Sequence, residues 1–234
     1  MLAGHYATAL VAKQKAPAGS LLYYLIASQL PDLLWLVFHY LGLEPTRPAD
    51  VLDVSLDRLD VDMVYSHDLI PILGWVVVVA AVGMLLFQDR RVAAAGAVLL
   101  IVHALTDYLA GYPHAVMGPD TPSVGTGLYH SATYTAIAFE GVYSAGFLVW
   151  FFVNDARAGV HRKPVHRATL VGVFVFGLVF LLSVARVSYR ELFHIPPLDI
   201  GIETTIPAML ITYGSLIAVL MWAMRTPPPS TSES

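Results

Sequence analysis

His103 and Asp107 stand four residues apart in IVHALTDYLAGYP, the spacing that puts two side chains on one face of a helix. An imidazole and a carboxylate placed this way can hold one divalent metal, or can simply satisfy each other's hydrogen bonds inside a bundle. The same chemistry recurs elsewhere in the chain. Asp32 follows Pro31 in ASQLPDLLW, His67 and Asp68 lie in YSHDLIPILGW, Glu140 in TAIAFEGVYSAG, and His5 in GHYATAL. There is no cysteine, so disulfides and thiolate metal sites are excluded and a metal would have to be held by His, Asp and Glu. Neutral imidazole and carboxylate suit zinc, manganese or iron(II).

The elements that must position these residues are membrane helices. Of the 234 residues, 57% are hydrophobic and only 13% charged, and the mean hydropathy is +0.67. A soluble globular chain carries about 25% charge. Six apolar runs approach or exceed the length needed to cross a hydrocarbon core of about 30 Å. They cover Leu21–Leu43, Leu69–Phe87, Val92–Tyr112, Ala132–Val153, Ala168–Val187 and Ile206–Met224. The expected fold is an all-α polytopic membrane helix bundle, one transmembrane domain over residues 1–225, with a Pro/Ser-rich disordered tail over 226–234. No soluble domain or internal repeat is visible. The lipid bilayer is the expected partner, and a net charge of −4 gives no reason to expect nucleic acid.

Basic residues set the orientation. With the segment before the first span inside, Lys13, Lys15, Arg90, Arg91, Arg157, Arg162, Lys163, Arg167 and Arg225 all fall on that side. Arg47, Arg58 and Arg190 fall outside, and Arg186 sits near the outer end of the fifth span. Both termini should therefore be cytoplasmic, with the protein in the inner membrane. Residues 1–12 are apolar but too short to span, and Lys13 and Lys15 follow that stretch where a signal peptide would have basic residues ahead of it. A surface helix or a half-inserted helix fits, and the latter would carry His5 to near mid-membrane.

Ionisable groups within spans are costly and mark functional positions by default. In the outward-running third span, Asp107 lies roughly 8 Å below the outer end and His103 roughly 14 Å. Asp32 lies roughly 16 Å below the outer end of the first span, while His67 enters from the outer edge. Five nitrogen and oxygen ligands, His5, Asp32, His67, His103 and Asp107, could thus meet in the outer half of the bundle. A structural or proton-relay network of the same residues is the alternative.

Other polar features have plainer readings. His39 reads as an interface histidine, His114 could line an entrance, and His161, His166 and His194 fall in loops or at span ends. Asp50, Asp53, Asp57 and Asp60, with Leu52, Leu56, Leu59 and Met63, repeat at helical spacing and predict an amphipathic helix lying on the membrane with a solvated acidic face. The Gly/Pro-rich stretch Pro113–Gly127 is either a flexible cover or a connecting loop.

GHYATAL, LPD, YSH and HALTD, in this order and spacing, resemble a family of bacterial membrane-bound metal-dependent hydrolases that includes the LexA-regulated inner-membrane hydrolases. GTGLYHS (Gly125–Ser131) with Glu140 is similar to a GLGLWNS-like segment and following glutamate in one branch. The resemblance covers roughly residues 1–145. It implies His5, Asp32, His67, His103 and Asp107 as metal positions and metal-assisted hydrolysis as the chemistry, with a distant likeness to zinc phospholipase C. The chain departs from the pattern where Leu34 replaces a second acid after PD, Asp68 replaces Ser after YSH, and YHS replaces WNS. These departures weigh against two metals. They leave Asp68 to supply a carboxylate and His130 to replace an amide.

The sequence therefore points to a metal-dependent hydrolase with a divalent metal, zinc before manganese or iron, acting on a lipid or phosphoester. Glu140 or Asp68 would be its general base. A proton- or cation-coupled carrier built on the same buried His/Asp cluster is the alternative from a different class. A haem protein with axial histidines is the third reading.

Overall fold

The computed structural model describes residues 3–197 and 201–225, so the expectation of a disordered tail at 226–234 lies outside the described residues. The fold is all-α. Six helices are long and apolar enough to cross a membrane: α2 (Leu21–Tyr40), α4 (Leu69–Phe87), α5 (Arg90–Ala110), α7 (Thr133–Arg157), α8 (Pro164–Ser183) and α10 (Thr205–Ala223). Their starts are written locally. The Ser20 hydroxyl accepts the N–H of Tyr23 at 3.1 Å, the Asp89 carboxylate accepts that of Arg91 at 2.7 Å, and Pro164 occupies the first turn of α8, where no N–H is needed.

The half-inserted N-terminal helix is present as α1 (Gly4–Lys15). Its residues from Gly4 to Val11 are all buried, packed against α2, α5 and α7. Lys13 closes the exposed end, donating to the carbonyls of Pro17 and Gly19 at 2.7 and 2.8 Å. The opposite end stops inside the bundle. There the Glu140 carboxylate of α7 accepts the backbone N–H groups of Ala3 and Gly4, each at 3.1 Å.

Close helix contact is set by small residues. Gly83 in α4 and Gly96 in α5 leave room for Tyr23 of α2, whose hydroxyl donates to the Val79 carbonyl at 3.0 Å. Only 17% of the apolar window in α4 is buried, so this helix faces lipid on most sides, whereas half of the α5 window is enclosed.

The acidic segment corrects the expectation of an amphipathic helix over residues 50–63. It forms a 3₁₀ turn at Val51–Asp53, a short strand β2 (Asp60–Val61) paired antiparallel with β1 (Thr46–Arg47), and irregular chain between them. Its aspartates are held by arginines far along the sequence. Arg190 binds Asp50 and Asp53, and Arg58 binds Glu191 of the short helix α9 (Tyr189–Phe193) at 2.5 Å. The Arg58 guanidinium lowers the Glu191 carboxyl to about 2. Leu56, Leu59 and Met63 turn inward and are buried, and the Leu56 N–H donates to the Val184 carbonyl at 2.8 Å. A helical repeat of Asp and Leu is not enough to make a helix where ion pairs and a strand compete for the same backbone.

Candidate metal centre

α5 carries His103 and Asp107 on one face, one turn apart, and both are buried. His103 Nε2 lies 3.1 Å from Asp107 Oδ2. α2 brings Asp32 from the other side, its Oδ1 3.9 Å from the same nitrogen. His67 closes the group from the short helix α3 (Val64–His67), with its Nε2 3.1 Å from Asp32 Oδ1 and 3.8 Å from Asp107 Oδ2. Each of Asp32, His67, His103 and Asp107 offers a ligand atom within 4.8 Å of all the others, and all four residues are buried. The donor set is two imidazoles and two carboxylates from three helices, the set that zinc, manganese and iron(II) accept.

Each member is oriented by a neighbour. His103 Nδ1 lies 2.8 Å from the Ser28 carbonyl of α2, which can only accept, so the ring proton is on Nδ1. In the neutral ring Nε2 carries the lone pair. It is buried, has no hydrogen-bond partner, and faces two carboxylates. A lone pair against carboxylate oxygens is repulsive, and a cation between them removes the conflict. Asp32 Oδ2 is held by Tyr213 of α10 at 3.1 Å and by the Gln29 amide. Metal-binding groups in proteins are commonly fixed from behind in this way.

His5 joins the group from α1 in a different position. Its Nε2 lies 3.2 Å from Asp107 Oδ1, the other oxygen of that carboxylate, and its ring stacks on His103 with centroids 3.7 Å apart. It is beside the four mutually close residues and not among them. The two stacked imidazoles leave no space for a porphyrin between them.

The residues expected to act as base both hold backbone amides. Both Asp68 oxygens accept backbone N–H groups, from Ala115 at 2.8 Å and Gly118 at 2.6 Å. Asp68 therefore pins the 113–127 loop to the start of α4, aided by Leu69 N–H donating to the Ala115 carbonyl at 3.1 Å. That loop is folded on itself through an antiparallel bridge between Ala115 and Ser123. Glu140 caps α1 and takes the hydroxyl of Tyr129, from the short helix α6 (Leu128–Ser131), at 3.4 Å.

Of the remaining histidines, His39 bonds Glu203 at 2.9 Å and accepts the Thr46 N–H at 3.2 Å, His130 bonds the Leu59 carbonyl at 3.1 Å, and His166 bonds the Arg225 carbonyl at 2.9 Å. His161 is exposed. His114 is buried, with its ring parallel to that of His67 at 5.3 Å. Burial and the neighbouring His67 push it down to about 3, so its ring is neutral.

Asp32, His67 and Asp107 form one side of a cavity of about 110 Å³. Its other walls are apolar, from Leu56, Leu59, Phe180, Leu181, Val184 and Met209 among others. Sequence reading could not find these walls, because they come from the loop mistaken for a surface helix and from the far ends of α8 and α10. A second cleft of about 510 Å³, more polar than the first, lies beyond it, with Arg47, Asp60, Asp62 and Ser123 among apolar residues in its lining. His114 and Met63 border both spaces.

No protein-family model, curated protein or solved structure matches the chain.

Proposed function

We propose that this protein is a membrane-embedded, metal-dependent hydrolase whose substrate is a lipid or other amphiphile carrying an ester or phosphoester. The observation that carries this reading is the bare Nε2 of His103, buried without a partner and turned towards Asp32 and Asp107 beside an apolar cavity. The resemblance to bacterial membrane-bound metal-dependent hydrolases supports it through the same residues. A metal held by Asp32, His67, His103 and Asp107 would polarise the scissile group and lower the pKa of a bound water towards about 7.

The chain's own residues do the rest. The apolar walls take up the hydrocarbon part of the substrate and keep bulk water from the reacting group. The more polar cleft next to His114 is suited to a head group, so an amphiphile fits the pair of spaces better than a wholly polar molecule. Asp68 holds two backbone amides, and Glu140 holds two with Oε1 while its Oε2 takes the hydroxyl of the cavity-lining Tyr129. A carrier would need a path from the cluster to both faces, and the buried Gly4–Val11 segment of α1 weighs against one on its side.

Metal stoichiometry by mass spectrometry after chelator-free purification tests the reading. Wild type and His161→Ala should each carry metal, whereas His103→Ala, His67→Ala and Asp107→Ala should lose most of it. His161 is the better control because His39 ties α2 to Glu203 and Thr46. A wild-type protein that carries no metal and takes up none on titration sinks the proposal.

A further inference from the structure

A second polar assembly lies where α7 ends and α8 begins, at the end of the bundle where Gln14 of α1 emerges. Asp155 of α7 accepts the Gln14 amide at 2.7 Å and the Arg162 guanidinium, Nε at 2.5 Å and Nη2 at 3.3 Å. Arg162 Nη1 also donates to the Met224 carbonyl at the end of α10, at 3.2 Å, and the guanidinium lies over the Phe151 ring. Only 5% of the Arg162 side chain is exposed. Of the five N–H groups of a guanidinium, three are used in tying α7 and α10 together, and two remain.

Beside this clamp is a groove of about 220 Å³, with Phe152, Asp155, His161, Arg162 and Arg167 in its lining. The segment 155–167 carries Arg157, Arg162, Lys163 and Arg167 against the single carboxylate of Asp155. Arg157, Lys163 and Arg167 are exposed, and none of their side chains has an ion-pair or hydrogen-bond partner among the described residues. Arg167 rests over the Phe152 ring, 5.5 Å from its centroid. At the other end of the bundle, by contrast, Arg58, Arg186 and Arg190 each face a carboxylate. The first turn of α8 is open as well. α2 and α5 start at the same end and are capped by Ser20 and Asp89, whereas α8 has no side-chain cap. Unpaired cations around a groove, next to uncapped helix N–H groups, suit an anion.

The surroundings of the groove select the kind of anion. Trp150 and Val153 of α7 and Val165 of α8 are exposed apolar side chains within two turns of lining residues. A soluble anion gains nothing from them, but the acyl chain of a lipid does. Tryptophan is enriched at the level of lipid head groups, and basic pockets between membrane helices are suited to anionic head groups.

We propose that this groove binds the phosphate of an anionic phospholipid, with Lys163 and Arg167 pairing with its charge and the two spare N–H groups of Arg162 donating to it. The site shares no residue with the metal cluster and does not depend on the metal reading.

The test is lipid binding to the full-length protein in maltoside detergent, followed by native mass spectrometry. The probes are dioleoylphosphatidylglycerol, dioleoylphosphatidylcholine and inorganic phosphate. Wild type should bind the anionic lipid more tightly than the zwitterionic one. Lys163→Gln and Arg167→Gln should each weaken binding of the anionic lipid by about five-fold, the usual effect of one basic residue near an anionic membrane surface. Arg91→Gln makes the same charge change at the same end of the bundle, on α5 and outside the groove, and should keep wild-type affinity. Equal affinity of wild type for the two lipids overturns the proposal. So does an equal loss in Arg91→Gln, which would make the effect one of diffuse charge. If inorganic phosphate at millimolar concentration displaces the anionic lipid, the groove is a site for a soluble anion and the lipid assignment fails.

Discussion

The backbone amides of Ala3 and Gly4 lie at a depth where water cannot serve them, and Glu140 accepts both. A carboxylate at the N-terminal end of a helix is also favoured by the helix dipole. The position of Glu140 is explained by the two amides it serves. Glu140→Ala leaves two buried donors without a partner, at a cost of about 1–3 kcal/mol each. Glu140→Gln keeps an oxygen in place and should cost less. Thermal unfolding in detergent should rank wild type above Glu140→Gln and Glu140→Gln above Glu140→Ala. An Ala variant as stable as wild type would remove the capping role. His5 follows Gly4 directly, so the same variant should also disturb the imidazole stacked on His103.

At the scale of elements, the tightest packing is where α2, α4 and α5 meet. A methyl group on Gly96 would collide with the Tyr23 hydroxyl and come within 2.9 Å of Val79 Cγ1. Gly96→Ala should therefore destabilise by about 1–3 kcal/mol, the usual cost of overpacking. Gly74 in α4 is exposed with nothing within 4 Å of an added Cβ, and Gly74→Ala should be neutral or stabilising by up to about 1 kcal/mol. Equal stability of the two variants would contradict the packing described here. These helices were legible in the sequence because each is a long apolar run, and His103 with Asp107 was legible because helical spacing alone puts them together. The acidic segment was misread because its ion-pair partners, Arg190 and Glu191, lie more than a hundred residues away and leave no trace in local periodicity. The Ser28 carbonyl was missed for a related reason, since a backbone acceptor has no side-chain signature.

For the whole molecule, six crossings put the segment after α10 on the same side as the turn between α1 and α2. The basic residues at Lys13, Arg90, Arg162 and Arg225 gather at that side. A reporter fused after Arg225 should be active only in the cytoplasm, and one inserted at Asp120 only in the periplasm. The same compartment for both would break the six-span arrangement. α1 differs from the six spans in its manner of assembly. With His5, Lys13, Gln14 and Lys15 among twelve residues, it has too little apolar surface to enter lipid unaided. Its place is defined by α2, α5 and α7, and its cap is supplied by a residue synthesised more than 130 positions later. α1 can therefore dock only once α7 has been made, although it precedes every span in the chain. Until it docks, the place beside His103 and Asp107 lacks the His5 ring that closes it.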